Sequence, residues 1–239
     1  MEISNSNILI IGGGSGLGLG IAKECNKNGA QVVIASRSEE KLQHAVNEMG
    51  KTAKFEIVDI SSKESIKALF NKVGHIDHLV VTSGFVTGKN FNDLPEEDAR
   101  SDFETNFWGK FSITKYGSKY INKGGSITFI SGAFAKKTNP SVFITSVSVV
   151  AVEAMAKTLA ISLSPIRVNV ISPYVVDTNL AGSEQNSDER KRHLESIADS
   201  LPSKCIGSPK NIGDAAVFLM TNPYVTGSVL SIDGGFTII

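Results

Sequence analysis

Short apolar runs alternate with longer amphipathic stretches along almost the whole chain. The apolar runs are rich in Val and Ile, uncharged at their centres and bounded by polar residues, which is typical of strands buried on both faces of a sheet. The residues in these runs are 7–11, 31–35, 55–58, 78–81, 126–130, 168–171 and 229–232. They predict about seven strands.

The stretches between these runs have the spacing of amphipathic helices. Ser61, Ser62, Lys63 and Glu64 form a capping box, and Pro95 followed by two Glu residues is typical of a first helical turn. The predicted helices after the first one cover residues 39–49, 63–73, 96–120, 142–163 and 211–220. Strict alternation of strand and helix predicts a single α/β domain, a Rossmann-like doubly wound parallel sheet with helices on both faces.

One long segment, residues 179–207, interrupts the alternation after the sixth predicted strand. It contains a polar helical patch at 188–201. Because ligands of doubly wound sheets bind beyond the carboxyl ends of the strands, we expect this insert to cover the substrate.

Composition narrows the class of protein. The 239 residues carry a formal net charge of zero, which argues against a nucleic-acid partner. Cys25 and Cys205 follow no metal or redox spacing, so we expect no metal site and reduced thiols in a cytoplasmic protein. The acidic Glu2 and the short apolar run after it do not resemble an export signal. The longest uncharged stretch, 138–152, is too short to span a bilayer, so no membrane association is expected.

The most informative stretch is the first strand and the glycine cluster that follows it. Six glycines lie among the nine residues 12–20, and a helical pattern begins directly after them. A strand, a glycine turn and a helix N-terminus direct backbone N–H groups at one point, which predicts a phosphate site. The pattern G-x-x-x-G-x-G fits Gly12, Gly16 and Gly18, and a second frame fits Gly14, Gly18 and Gly20. We prefer the first frame because Gly12 directly follows the strand.

Ser36 and Arg37 end the second predicted strand, about twenty residues after the glycine turn, where an acidic residue would hold the ribose of NAD. Arg37 offers a planar charged fork for a 2′-phosphate, and Ser36 offers a small donor. This pair predicts NADP(H) as the cofactor.

The motifs together resemble the short-chain dehydrogenase/reductase family over nearly the whole chain. Besides the glycine turn they include Asp59 after the third strand, Asn106, the run 167–173 leading to Thr178, and the C-terminal pair Gly234 and Gly235 after Asp233. The resemblance implies that Asp59 accepts from the adenine amino group, that Ile60 packs nearby and that Thr178 contacts the nicotinamide amide. The predicted cofactor-binding residues are Gly12, Gly14, Ser15, Gly16, Leu17, Gly18, Ser36, Arg37, Asp59, Ile60, Ser83, Gly84, Pro173, Val176 and Thr178.

The catalytic half of the family pattern departs from expectation. The family reduces carbonyls with a serine, a tyrosine, a lysine four residues after the tyrosine, and an asparagine that holds a water relay. The corresponding positions here hold Gly132, Thr145 and Val149, and no tyrosine lies between Tyr120 and Tyr174. Of the family's four catalytic residues only Asn106 remains.

Three residues are therefore the candidate catalytic set: Asn106, Ser131 and Tyr174. Tyr174 follows Pro173 where the family usually has glycine, so it either donates a proton to a substrate or fills the pocket.

Two functions fit these residues. The first is an NADP(H)-dependent oxidoreductase with a non-standard active site, a reductase of a small organic carbonyl, enone or imine. The second is a catalytically inactive NADP-binding homologue that acts as a nucleotide sensor or partner subunit. The resemblance also implies a homo-oligomer, a dimer or a tetramer.

Overall fold

A computed structural model describes residues 2–50, 52–178 and 187–239. Its centre is a seven-stranded sheet in the order β3-β2-β1-β4-β5-β6-β7, in which every pair of neighbours is parallel. The strands are β1 (Asn7–Ile11), β2 (Gln31–Ser36), β3 (Lys54–Ile57), β4 (Ile76–Val81), β5 (Ile121–Ile130), β6 (Arg167–Pro173) and β7 (Val229–Ile232). The predicted doubly wound fold is confirmed. Its strand order reverses between β1 and β4, where such sheets bind their ligands.

The helices cover both faces of this sheet. They are α1 (Gly16–Lys27), α2 (Glu39–Met49), α3 (Lys63–Val73), α4 (Glu96–Phe103), α5 (Gly109–Gly117), α6 (Phe143–Ser162), α7 (Ser187–Ser200) and α8 (Pro209–Thr221). The bounds of α2 and α3 match those predicted. Each begins after a serine, Ser38 or Ser62, whose side chain accepts a first-turn N–H, and each ends at a glycine with positive φ.

The helix predicted over 96–120 is present as a continuous helical run, but it is not α-helical throughout. The structure divides it into α4, a π-helical turn at Glu104–Trp108, α5 and a 3₁₀ turn at Ser118–Tyr120. Asn106 lies in the π turn, and its side chain bonds backbone groups of Phe85 outside the helix. Single π turns of this kind are frequent at functional sites.

Strand β5 begins five residues before its predicted start, at Ile121 rather than Ser126. Gly124 and Gly125 conceal this extension in the sequence because glycine is depleted in strands. The pairing of β4 with β5 is irregular between Ile76 and His78, which accommodates the extra length.

Two apolar cores lie on the two faces of the sheet. On one face Ile8, Ile10 and Ile34 pack with residues of α1 and α8. On the other face Leu9 and Phe129 pack with residues of α3, α5 and α6. A fully buried side chain of this size contributes about 1.5–3 kcal/mol, so both layers hold the strand ends in fixed positions.

Helix α6 corrects one expectation from the sequence. Together with the turn before it, Pro140–Ser162 is long and apolar enough to cross a membrane by length and composition, with a mean hydropathy of 1.6. The expectation that no stretch would have these properties is wrong. In the structure α6 packs on the sheet, with Val152 and Ala156 buried in the second core.

Candidate active site

The glycine turn between β1 and α1 requires glycine at each glycine position of the pattern G-x-x-x-G-x-G. Gly12 and Gly16 have φ values of +83° and +54°, which favour glycine. A Cβ on Gly18 would lie 2.2 Å from the carbonyl oxygen of Gly12, so this close approach excludes any side chain. These three residues are the preferred frame of the pattern. In the other frame Gly20 is needed for packing, since its Cβ would lie 2.4 Å from Pro209 of α8.

The N-terminus of α1 lies at this turn. Ser15 precedes the helix, is exposed and makes no capping hydrogen bond with its side chain. The first N–H groups of a helix have no partner within the helix, and they carry its positive dipole end. Leu17 anchors this turn by packing against the first core. The arrangement can hold a diphosphate.

Polar side chains at the ends of β2 and β3 lie beside the turn. Ser36 Oγ is 3.4 Å from the position that a Cβ on Gly14 would occupy. Arg37 is exposed and makes no hydrogen bond or ion pair within the described ranges. Its guanidinium is therefore available to a ligand.

Asp59 is held in a fixed, charged form. Its Oδ1 accepts from the Ser61 hydroxyl at 2.7 Å and from the Ser61 N–H at 2.9 Å. These hydrogen bonds, with the charge of Arg37 adding to them, lower the pKa of Asp59 below its usual value. The neighbouring Ile60 packs against α5, where a Cβ on Gly109 would lie 2.5 Å from its Cδ1.

The side chain of Asn106 binds the backbone of the segment that follows β4. The Asn106 Oδ1 accepts from the Phe85 N–H at 3.1 Å, and its Nδ2 donates to the Phe85 carbonyl at 3.0 Å. A Cβ on Gly84 would lie 2.5 Å from the same Oδ1, so glycine is required there. The amide of Asn106 is committed to this segment.

Asp102 is a fully buried carboxylate at the centre of a hydrogen-bond network. Its Oδ2 accepts from the Thr87 and Thr145 hydroxyls at 2.9 and 2.7 Å. Its Oδ1 accepts from the Ser148 hydroxyl at 2.7 Å and from Asn106 Nδ2 at 2.9 Å. The network joins α4, the π turn and α6 to the segment after β4.

Lys110 is the second residue of α5 and follows Asn106 by four residues. Its Nζ donates to the carbonyl oxygens of Ser83 at 2.5 Å and Asn106 at 2.9 Å. The side chain is completely enclosed, and burial lowers the pKa of Lys110 to about 7, against the charge of Asp102, which raises it.

Sequence reasoning missed both Asp102 and Lys110. Their spacing gave a signal: they precede and follow Asn106 by four residues, so all three share one helix face.

The hydroxyl of Thr145, at the predicted tyrosine position, has both a donor and an acceptor partner. It donates to Asp102 Oδ2 and accepts from the Thr87 N–H at 2.9 Å. Thr145 is 4% exposed. In this arrangement it links two buried elements and has no proton to offer a substrate.

Gly132 and Val149, at the predicted serine and lysine positions, face each other. A Cβ on Gly132 would lie 3.8 Å from Val149 Cγ1, its nearest neighbour, and the backbone of Gly132 is extended at φ −165°. Neither space nor backbone conformation therefore requires glycine there. This wall of the cleft has no polar side chain at either position.

Ser131 and Glu153 form a pair that the sequence did not reveal as a unit. The Ser131 hydroxyl donates to Glu153 Oε1 at 2.9 Å, which connects the end of β5 to α6. Glu153 is half-buried, lies one helical turn beyond Val149, and has no cationic partner in the described part of the chain. A carboxylate thus lies close to the position where a lysine was expected.

Tyr174 lies at the carboxyl end of β6 in an aromatic cluster. Its ring stacks on Phe236 with centroids 3.7 Å apart and meets Phe134 edge to face at 5.9 Å. Burial raises the pKa of Tyr174 above its usual value. Lys137 approaches the Phe236 ring at 4.6 Å. This environment keeps the phenol neutral, as a pocket-filling side chain would be.

The remaining predicted cofactor residues continue beyond β6. Pro173 pairs with Ile232 of β7, and Val176 bridges to Gly207. The Thr178 carbonyl accepts from Arg190 of α7 at 3.0 Å, so α7 is attached at this edge. The part of the predicted insert at 179–186 lies outside the described residues.

The parallel sheet, its switch point and the glycine turn at a helix N-terminus are typical of a dinucleotide-binding domain of the Rossmann type. A family model described as enoyl-(acyl carrier protein) reductase matches residues 12–237. The chain belongs to this short-chain dehydrogenase/reductase family, whose members use a nicotinamide cofactor.

Similar proteins match nearly the whole chain. The chain is 31% identical to the short-chain dehydrogenase/reductase ATR9 of Stachybotrys chlorohalonatus, covering 98% of this chain and 97% of that one. It is 27% identical to a tropinone reductase homolog of Datura stramonium, covering 96% and 91%. A solved small-chain dehydrogenase in complex with NADPH is 31% identical, with a TM-score of 0.85 over 99% of this chain and 100% of that one.

Proposed function

We propose that this protein is an NADP(H)-dependent oxidoreductase that reduces a small organic carbonyl, enone or imine through a site without the family's Ser-Tyr-Lys set. The observation that carries the proposal is the Thr145 hydroxyl, which is bound on both sides by Asp102 and Thr87. The cofactor-binding pattern is present. A structural hydrogen-bond network occupies the position where the family has its proton donor.

Arg37 and Ser36 support NADP(H) as the cofactor. Arg37 has no partner among the described residues and lies beside the glycine turn, where a 2′-phosphate would need a cation. The related structure in complex with NADPH is consistent with this choice. Gly12, Gly16 and Gly18 would hold the diphosphate, and Asp59 the adenine.

The missing proton donor favours particular substrates. Hydride addition to an iminium carbon forms a C–H bond and leaves the former π electrons as the nitrogen lone pair, so the product is a neutral amine and no acid is needed. The carboxylate of Glu153 also suits a cationic substrate, and Ser131 would orient it. An enone is the second candidate, in keeping with the description of the matching family model. Its enolate would take a proton from water.

A homo-oligomer, a cytoplasmic location and a covering role for the segment 179–207 belong to the same proposal. Four large apolar side chains on the π turn, α5 and α6 are 40–47% exposed, namely Trp108, Phe111, Val147 and Val150. A face of this kind supports self-association. The free thiols of Cys25 and Cys205 fit a reducing compartment.

A panel of cyclic iminium ions, enones and ketones, assayed with NADPH and NADH, tests the proposal. We expect NADPH consumption with an iminium ion or enone, and slower turnover of ketones. E153Q should slow the iminium reaction selectively, whereas E195Q on the exposed face of α7 should not. Tight NADPH binding without turnover of any compound would instead support the inactive homologue.

A further inference from the structure

Within the described residues, two buried polar groups beside Gly84 make fewer hydrogen bonds than they have the capacity to make. The Lys110 ammonium has three N–H groups, but only the Ser83 and Asn106 carbonyls accept from it within the described ranges. The Ser83 hydroxyl is enclosed and has no partner among the described residues. Because unsatisfied buried donors are costly, such groups indicate a ligand.

Both groups belong to one short stretch of backbone. Lys110 Nζ lies 3.6 Å from the position of a Cβ on Gly84, and it binds the carbonyl of the residue before it. Asn106 binds both backbone groups of the residue after it, Phe85. Two side chains one helical turn apart therefore fix three consecutive residues at the end of β4.

We propose that Lys110 is a positioning residue for the dinucleotide. Its ammonium holds the backbone of Ser83 and Gly84 in place against the cofactor, and it supplies beside that backbone a positive charge that Val149 cannot supply. This role rests on the proposed function, because it requires the cofactor to bind along Ser83 and Gly84, two of the predicted cofactor-binding residues.

The charge of Lys110 has few neighbours. On α4 the carboxylate of Asp102 acts on it, while the nearest groups of the segment after β4 are neutral. On α6 the residues of the same network, Thr145 and Ser148, are not ionisable. On α3 the cations Lys63 and Lys67 lie over the ring of Tyr116 farther along α5. Among the described residues, Asp102 is the charged group that acts on Lys110.

Cofactor affinity should follow this titration. The pKa of Lys110 is lowered to about 7, so the ammonium is present below that pH and is lost above it. If the cofactor prefers the ammonium, NADPH affinity is constant below about pH 7 and falls as the pH rises, by up to about tenfold per pH unit until the pKa of the complex is reached.

The experiment is NADPH binding, followed by cofactor fluorescence from pH 6 to 9, with wild type, K110M, K110R and K115M. We expect K110M to bind at least tenfold more weakly at pH 6.5 and to lose the fall above pH 7. K110R, which keeps its charge, should bind within a few-fold of wild type and should also lose that fall. K115M, on the exposed side of α5, should match wild type. The ionisation of NADPH itself is common to all four proteins.

K110M with the affinity and pH profile of wild type would overturn the positioning role while leaving the proposed function intact. If wild type binds no NADPH, both fail together. Should K110M not fold, K110R decides: a pH profile unchanged from wild type would overturn the role, and a profile without the fall would support it.

Discussion

At the residue scale, two candidate site residues differ in how far the protein itself satisfies their polar groups. Arg37 makes no hydrogen bond or ion pair with any residue that the structure describes, as a ligand-binding residue should. Thr145 is saturated by Asp102 and Thr87, as a structural residue should be. A side chain cannot remain in two buried hydrogen bonds and also transfer a proton to a substrate. In this structure the Thr145 hydroxyl is therefore structural, whereas the Arg37 guanidinium is available to a ligand.

Arg37→Ala should weaken NADPH binding by roughly 10- to 100-fold, because a hydrogen bond to a charged group contributes about 1.5–3 kcal/mol. NADH binding should be unchanged, since NADH carries no 2′-phosphate. Isothermal titration of both cofactors checks this, with Arg100→Ala as control, whose exposed guanidinium pairs with Glu96 on the same helix. Equal loss of both cofactors, or of neither, would show that Arg37 does not select NADP(H).

At the scale of elements, the continuous unit formed by α4, the π turn and α5 forms one side of the candidate site. It places Asp102, Asn106 and Lys110 on one face and turns that face toward α6 and the end of β4. Buried charges are costly unless they are fully hydrogen-bonded. The carboxylate of Asp102 meets this condition with four donors.

Asp102→Ala should lower the free energy of unfolding by about 3–5 kcal/mol, because it removes the buried acceptor of four donors and the charge that compensates Lys110. Asp98→Ala on the same helix removes only an exposed ion pair with Lys89 and should cost less than about 1 kcal/mol. Urea denaturation of both variants measures the difference. Equal effects would mean that the network adds no stability.

The same elements show which features of the fold and the site could be predicted from the sequence. Strands β1 and β7 and helices α2 and α3 were predicted with their observed bounds because caps and β-branched runs are local signals. The π turn and the network were not, because they depend on contacts between α4 and α6 some forty residues apart. The helix over 96–120 was predicted without an inward-facing carboxylate, and only the fold shows that Asp102 is buried. Ser131 was predicted as a site residue, but its partner Glu153 was not.

At the scale of the whole molecule, the predicted cofactor-binding and catalytic residues lie along one edge of the sheet. The glycine turn, Arg37 and Asp59 lie on one side of the switch point, and Ser131, Glu153 and Tyr174 lie on the other. Hydride transfer requires an oriented nicotinamide and acceptor, and positioning alone lowers the barrier substantially. The family fold is thus compatible with reduction of substrates that need no proton from the protein.

The most direct measurement is the transfer of deuterium from NADPH labelled at C4. The protein is incubated with labelled NADPH and a cyclic iminium ion, an enone or a ketone, and the products are analysed by mass spectrometry. The expected result is one deuterium in the amine or in the saturated carbonyl product, with little label in any alcohol. Label in the alcohol alone would contradict the non-standard site, and tight NADPH binding with no labelled product would contradict catalysis itself.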